Sequence, residues 1–416
     1  MSYRPRIVDA ELAAQLAALG AILIEGPKAC GKTETARQIA ASEVLLDRDE
    51  NARQAVHVDP ALVLEGKTPR LIDEWQVEPA IWNEVRHAVD DRARPSQFIL
   101  TGSAVPPDDA TRHSGAGRIT RLQMRPMSLF ETGHSNGTIS LAGLLAGERS
   151  RSSDPGLTVP ELARLSAVGG WPAFQGLDVK AALRAVRGYL DEIRRVDVNR
   201  VGGSRRDPER VARLLRSLGR NVATYASLTT LAADAGGEDG PLKRDTVSSY
   251  VDVLTRLRIV EDQPAWAPHL RSRYVLRTGE KRHFVDPSLA VAALRGSPGA
   301  LLRDLRLFGF VFESLVIRDL RVYGQAADAQ VLQYRDSDGL EVDAVVRAVG
   351  GSWAAFEIKL GAGLIDESAG NLLKFAKRVD TDACGEPSAL AVITSTGYGY
   401  VRDDGVMVIP VGAFGP

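Results

Sequence analysis

Eight consecutive residues, Gly26-Pro27-Lys28-Ala29-Cys30-Gly31-Lys32-Thr33, fit the pattern G-x-x-x-x-G-K-[ST]. Glycines at the fixed positions let the backbone wrap a polyphosphate, whose charge is met by loop amides and by the N-terminus of the next helix. In that pattern Lys32 reaches the β and γ phosphates and Thr33 holds Mg²⁺; the whole cradle runs from Gly26 to Glu34. A second signal is the acidic pair Asp73-Glu74, which closes the apolar run Leu71-Ile72. Asp73 is expected to hold the same ion through water, and Glu74 to polarise the attacking water. The run 97–103 (QFILTGS) ends in hydroxyls, so either Thr101 or Ser103 is placed to sense the γ-phosphate. Arg118, after Gly115-Ala116-Gly117, is a candidate arginine finger for a neighbouring subunit, with Arg112 as its competitor. Cys30 lies in the loop as a bystander.

A separate constellation stands near the C-terminus. Asp343 falls in the strand-like run 340–347, and Glu357-Ile358-Lys359 in another 14 residues on, a separation that suits a hairpin. Alternation puts Glu357 and Lys359 on one strand face, beside Asp343 if the strands pair. Glu313, on a preceding helix, completes the group. Such carboxylates bind Mg²⁺ or Mn²⁺, which activates water and stabilises phosphoryl charge, while Lys359 helps orient the nucleophile. Glu-x-Lys is also a common cross-strand charge pattern, but an acid set among Ala354, Ala355, Phe356 and Ile358 is costly without a partner. The order of acid on helix, Asp on strand and Glu-x-Lys on the next strand resembles the PD-(D/E)xK nuclease core.

Between these two sites, residues 203–283 carry 15 Lys and Arg against 10 Asp and Glu. Two short helices are expected at 227–235 and 245–258, the second capped by Asp245, followed by a β-hairpin over 262–276. The succession resembles a winged helix, whose third helix and wing can contact DNA. Arg244, Arg256, Arg258, Arg271 and Arg273 are the candidate phosphate contacts. A packing module with a solvated basic face is the competing reading.

The elements that must position these groups follow from periodicity. A helix at 9–19 precedes the buried run 21–25, and the runs 70–73 and 97–101 read as further central strands. Helices at 32–41 and 80–91 separate them, so an α/β parallel sheet with flanking helices is expected. A polar, glycine- and serine-rich stretch at 147–156 reads as a linker. Helices at 181–197 and 207–220 follow it. Beyond them come a helix at 309–323 and strands at 340–347, 354–359 and 390–394, as in an α/β restriction-endonuclease-like unit. The expected domains are 1–160, 161–285 and 286–416; at about 150 residues per domain, a chain of 416 has room for two or three. With 44% hydrophobic and 25% charged residues the chain is not disordered, and a net charge of −1 excludes a uniformly basic nucleic-acid binder. Two cysteines, Cys30 and Cys384, exclude a disulfide framework or a four-thiolate zinc site and suit a reducing cytoplasm. The apolar stretch 12–24 is too short to span a bilayer, so no membrane association is expected.

The order GPKACGKT, RLIDEWQ, FILTGS, Arg118-Ile119 and RPMSLFE (125–131) resembles a prokaryotic AAA+ ATPase family whose members carry a C-terminal domain of unknown function. The likeness continues through Gly169-Gly170-Trp171-Pro172 and His283-Phe284-Val285-Asp286-Pro287. Lys28 stands where such families often have arginine. The resemblance implies ATP and ADP as ligands, Mg²⁺, and a homo-oligomer of hexamer type. The resulting expectation is an Mg²⁺-dependent ATPase whose nucleotide state is coupled to double-stranded or branched DNA. The alternative is a nucleotide-controlled switch with an inactive nuclease-like domain. A small-molecule kinase would need an acceptor-binding signature, and none is visible.

Overall fold

In a computed structural model of the chain, residues 3–102, 114–202, 206–267 and 279–416 are described. The first layer is a five-stranded sheet of β1 (Ala21–Glu25), β2 (Ser42–Leu45), β3 (Arg70–Asp73), β4 (Phe98–Gly102) and β5 (Ile119–Gln123), in the order β2-β3-β4-β1-β5. All its pairings are parallel. β1 and β4 are buried along their whole length, which explains why they read as continuous apolar runs rather than as alternation. The helix Val8–Ala18 buries Val8, Leu12 and Leu16, whereas the helix after the loop, Lys32–Arg37, stops four residues before the expected 41.

After β5 the chain does not stay in this layer. Residues 135–140 run beside the C-terminal end of the chain, where β6 (Ile139–Ser140) pairs in parallel with the last strand, Phe414–Gly415. Ser135 Oγ donates to the Phe414 carbonyl at 2.6 Å, and the Asn136 amide donates to Gly412 O at 2.9 Å. The stretch 147–156 is therefore no free linker: Ser152 and Gly399 exchange both backbone hydrogen bonds at 3.0 Å. A second sheet follows, built from β7 (Ala329–Arg335), β8 (Glu341–Ala348), β9 (Trp353–Lys359), β10 (Ala389–Thr394), β11 (Tyr400–Val401) and β12 (Met407–Pro410), with β13 (Phe414–Gly415) pairing outside it. Its order is β11-β12-β10-β9-β8-β7. β7, β8 and β9 form an antiparallel meander, and β10 joins β9 in parallel after the helix Ile365–Arg378.

The middle of the chain is helical. Asp207, Ser227 and Thr158 cap their helices with side-chain oxygens, the last in a full capping box with Glu161. The helix Arg244–Arg256 corrects one expectation: its N-cap is Lys243, and Asp245 lies in the first turn, where its charge favours the helix dipole. Downstream, Val260 pairs with Phe284 and Gln263 with Lys281 as antiparallel bridges, so the described flanks form a two-stranded ribbon. Arg271 and Arg273, the expected wing contacts, lie outside the described residues.

The helix Leu305–Ala326 runs through the centre, with every residue from Val311 to Gly324 buried. Its Arg318 is 3% exposed and donates to Asp319 Oδ1 through Nε at 2.9 Å and Nη2 at 2.7 Å, and to Asp286 Oδ2 through Nη1 at 2.9 Å. Asp286 also accepts from the Gly170 amide at 2.9 Å, and Asp319 from the Leu129 amide at 3.1 Å. The Gly-Gly-Trp-Pro, His-Phe-Val-Asp-Pro and Arg-Pro-Met-Ser-Leu-Phe-Glu motifs thus meet at one guanidinium. Gly170 permits the approach, since a Cβ there would stand 2.0 Å from the Met127 carbonyl oxygen. Removing one partner of a buried ion pair strands the other charges, at about 3–5 kcal/mol. Arg318→Met is expected to lower stability by about that amount in chemical unfolding; a loss below roughly 1 kcal/mol, the surface-pair range, would refute the assignment.

Candidate functional site

The loop between β1 and the helix Lys32–Arg37 is fixed from three sides. Gly31 sits at φ +106°, a conformation suited to glycine, and a Cβ on Gly26 would stand 2.3 Å from the Met124 carbonyl oxygen. Arg6 donates to the Cys30 carbonyl at 2.9 Å and to the Arg125 carbonyl at 2.7 Å. It also pairs with Glu131 at 2.9 Å, so the N-terminal segment ties the loop to the motif at 125–131. The buried Lys32 ammonium donates to the Gly26 and Pro27 carbonyls at 3.0 and 2.9 Å.

β3 delivers the acidic pair to the same place. The Thr33 hydroxyl donates to Asp73 Oδ1 at 2.7 Å, and the Thr101 hydroxyl donates to the same oxygen. Thr101 also accepts from the Glu74 amide at 3.2 Å. Glu74 adopts the left-handed region at φ +54°, and its carboxylate accepts from Gln76 Nε2. Lys32, Thr33, Asp73, Glu74 and Thr101 are therefore brought together as the spacing predicts. Ser103 and Arg112 lie outside the described residues. Arg118 is not brought to the site: its guanidinium is paired with Asp90 at 2.9 Å and 43% exposed, and it does not line the cavity.

That cavity, about 1420 Å³, has the loop, Asp73 and Glu74 on one wall. The opposite wall comes from the middle of the chain, with Pro172, Gln175, Asp197, Arg200 and Leu257. Lys28 bridges the walls, donating to Asp197 Oδ1 at 2.6 Å. Arg258, expected as a DNA-phosphate contact, is instead paired with Glu25 at the end of β1, a carboxylate it shares with Arg121. The physical reason is that Glu25 is buried and needs a cation, which draws Arg258 away from the phosphate-contacting role expected of it. Mg²⁺ with a nucleoside triphosphate fits these residues. Loop amides and Lys32 would take phosphate oxygens, and Thr33 and Asp73 would hold the ion.

The C-terminal constellation forms as well. With Ala344 opposite Phe356, the antiparallel register carries Asp343 beside Glu357. Lys359 Nζ donates to Asp343 Oδ2 at 2.8 Å and pairs with Glu357 at 2.6 Å, and the Ile358 amide donates to Asp343 Oδ2 at 2.9 Å. One group was invisible in the sequence. Lys281, from the ribbon, enters the cluster, pairs with Glu313, and lies 3.3 Å from Asp343 Oδ1. Burial would raise Asp343, but Lys281 and Lys359 hold it well below the usual carboxylate range. Burial, then the Asp343 charge, pushes Glu357 up to about 8, and burial pushes Glu313 up to about 7 against the pull of Lys281. A metal at Asp343 and Glu357 does not fit this arrangement, because two ammonium groups already meet the carboxylate oxygens that would face it. Among the described residues no group of three or more His, Cys, Asp and Glu is arranged to hold an ion.

Comparison with known proteins places the first site in context. Residues 19–133 match the family described as AAA domain. The N-terminal sheet is thus similar to an AAA-type P-loop domain over those residues. Residues 159–299 match a domain of unknown function (DUF8612), and residues 308–414 match another (DUF4143). Two uncharacterized proteins, from Mycobacterium bovis and Mycobacterium tuberculosis, are each 30% identical over 118 residues. That match spans 27% of this chain and only 27% of the length of either relative. A Walker-type ATPase of Pyrococcus abyssi is 13% identical, with a TM-score of 0.41 over 70% of this chain and 99% of its own. No described helix is long and apolar enough to cross a membrane.

The carboxyl shifts generate a pH prediction. Glu357 ionises near 4.3 when unfolded and at about 8 when folded, so the folded chain binds the extra proton between those values. Its contribution to stability is full below the unfolded pKa and is lost as pH rises through about 8. Unfolding free energy from urea titrations is expected to fall between roughly pH 5 and pH 8, with Glu357→Gln flattening that slope. An unchanged slope in the variant would remove Glu357 as its source.

Proposed function

We propose that this protein is an Mg²⁺-dependent ATPase whose nucleotide state sets the relation between its N-terminal sheet and the units that follow. The observation that carries the reading is the shared cavity, with Lys32, Thr33, Asp73 and Glu74 facing Asp197, Arg200 and Leu257. Lys32 neutralises the phosphates, Asp73 is oriented by Thr33 and Thr101 toward the ion, and Glu74 activates water. The bound ion supplies charge stabilisation at the transferred phosphoryl group. Arg118 serves in this reading only across an interface in a homo-oligomer, since it pairs with Asp90 and does not line its own cavity.

The C-terminal unit is proposed as a binding element of nuclease-like architecture rather than a cutting one. The helix Leu305–Ala326 followed by the meander β7-β8-β9 and the parallel β10 supports the likeness, while Lys281 inside the acidic cluster favours the non-cleaving form. DNA is the proposed partner on the basic excess over 203–283, with Arg244 and Arg256 as the described candidates. We place the units at 1–160, 161–285 and 286–416.

Wild-type protein is expected to hydrolyse ATP with Mg²⁺, Lys32→Ala to lose nucleotide binding, and Glu74→Gln to retain ATP while turnover falls by about 10²-fold or more. Turnover is compared with and without double-stranded, single-stranded and branched DNA. Hydrolysis that survives Lys32→Ala refutes the ATPase reading. Plasmid cleavage that requires Asp343 refutes the non-cleaving one.

A further inference from the structure

The cavity contains an ion pair that the hydrolytic reading does not use. Lys28 lies inside the phosphate loop, and its ammonium rests on Asp197 across the cavity at 2.6 Å. The two partners are unequal. The Lys28 side chain is 43% exposed, a flexible stem able to swing, whereas the Asp197 side chain is 5% exposed and fixed. Lys28 is the one ion-pair partner of Asp197 among the described residues.

Asp197 is also held in an unusual segment. It closes the π-helical turn Ile193–Asp197, a geometry that is rare and frequent at functional sites. The turn continues the helix Val179–Glu192, whose Tyr189 ring packs on Trp171 at 4.8 Å. Trp171 Nε1 donates to Ser288 Oγ at 3.0 Å, next to Asp286 and its partner Arg318. The carboxylate facing the phosphate loop is thus anchored to the centre of the molecule.

We propose that Asp197 is an affinity-setting residue for the nucleotide, competing with the polyphosphate for the Lys28 ammonium. A triphosphate seated in the loop offers Lys28 a denser anion at close range, and only one of the two can hold the ammonium fully. Taking it leaves Asp197 buried and unpaired, which costs free energy and lowers the apparent affinity. The same step releases the π-helical turn from the loop. Nucleotide binding and loosening of the middle unit are therefore one equilibrium, and by linkage whatever stabilises the Lys28–Asp197 pair expels nucleotide.

This inference rests on the loop being a nucleotide site, and its test separates the two. Dissociation constants for a fluorescent ATP analogue are measured on wild type, Asp197→Asn, Lys28→Met and the double variant, with thermal unfolding confirming that each is folded. Asp197→Asn is expected to bind about fivefold or more tighter than wild type, and the same change in the Lys28→Met background to have little effect. Unchanged or weaker binding by Asp197→Asn overturns the proposal. So does equal tightening in both backgrounds, which would mean direct repulsion of the nucleotide. Wild type that binds no analogue overturns the nucleotide site itself. A second readout needs no variant: amide hydrogen exchange across Ile193–Asp197 in the wild type is expected to rise at saturating ATP, and no rise overturns the release step.

Discussion

A single guanidinium holds the chain's three regions in register. Arg318 is buried on the central helix, and it satisfies Asp286 and Asp319 at the same time. Those two carboxylates in turn fix the Gly170 and Leu129 amides. Two short motifs without chemistry of their own are thereby nailed to one helix, and a third supplies Asp286. A buried charge this well met contributes less to net stability than its hydrogen bonds suggest, because desolvation offsets most of the gain. Its consequence is specificity: any other packing of these segments leaves one of three charges bare. From that point a chain of polar contacts runs to the phosphate loop. Two residues after Leu129 comes Glu131, which receives Arg6, and Arg6 holds the Cys30 carbonyl.

The nucleotide cavity inherits this construction. One wall belongs to the parallel sheet and the other to the helices after residue 159, so neither region owns the site. Glu25 closes β1 immediately before the loop and is neutralised by Arg258 from the middle of the chain. Lys28, two residues into the loop, is matched by Asp197. Charges just before and within the start of the phosphate cradle are thus answered from the middle of the chain. In such an arrangement a polyanion cannot enter without changing the electrostatic balance between regions. That is the physical content of the coupling we propose between nucleotide and domain position.

What was legible in the sequence was local or periodic. The phosphate loop, the acidic pair and the buried strands are each written in a handful of adjacent residues, and the hairpin spacing of Asp343 and Glu357 follows from alternation. What escaped depended on long-range pairing. Lys281 looks like any basic residue of the middle region, and its partners lie 32 and 62 positions away. Arg258 has the sequence context of a phosphate contact because its buried partner, 233 positions away, leaves no local trace. The stretch 147–156 has the composition of a linker, yet its pairing with Gly399 uses only backbone groups, which composition does not report.

The C-terminal cluster shows why a motif and its chemistry must be argued separately. Asp343, Glu357 and Lys359 stand where the pattern requires, on paired strands, and Glu313 reaches them from the central helix. An acidic cluster in apolar surroundings has three ways to lower its energy: bind a divalent ion, take up protons, or recruit internal cations. Here the second and third operate together, with Glu357 pushed up to about 8 and two lysines placed among three acids. The second of those lysines comes from the ribbon of the middle region. The cluster therefore fastens that ribbon to the C-terminal sheet, and the charges a metal would need are spent on holding the units together. Fold resemblance alone cannot reveal such a replacement, because the residue responsible lies outside the motif.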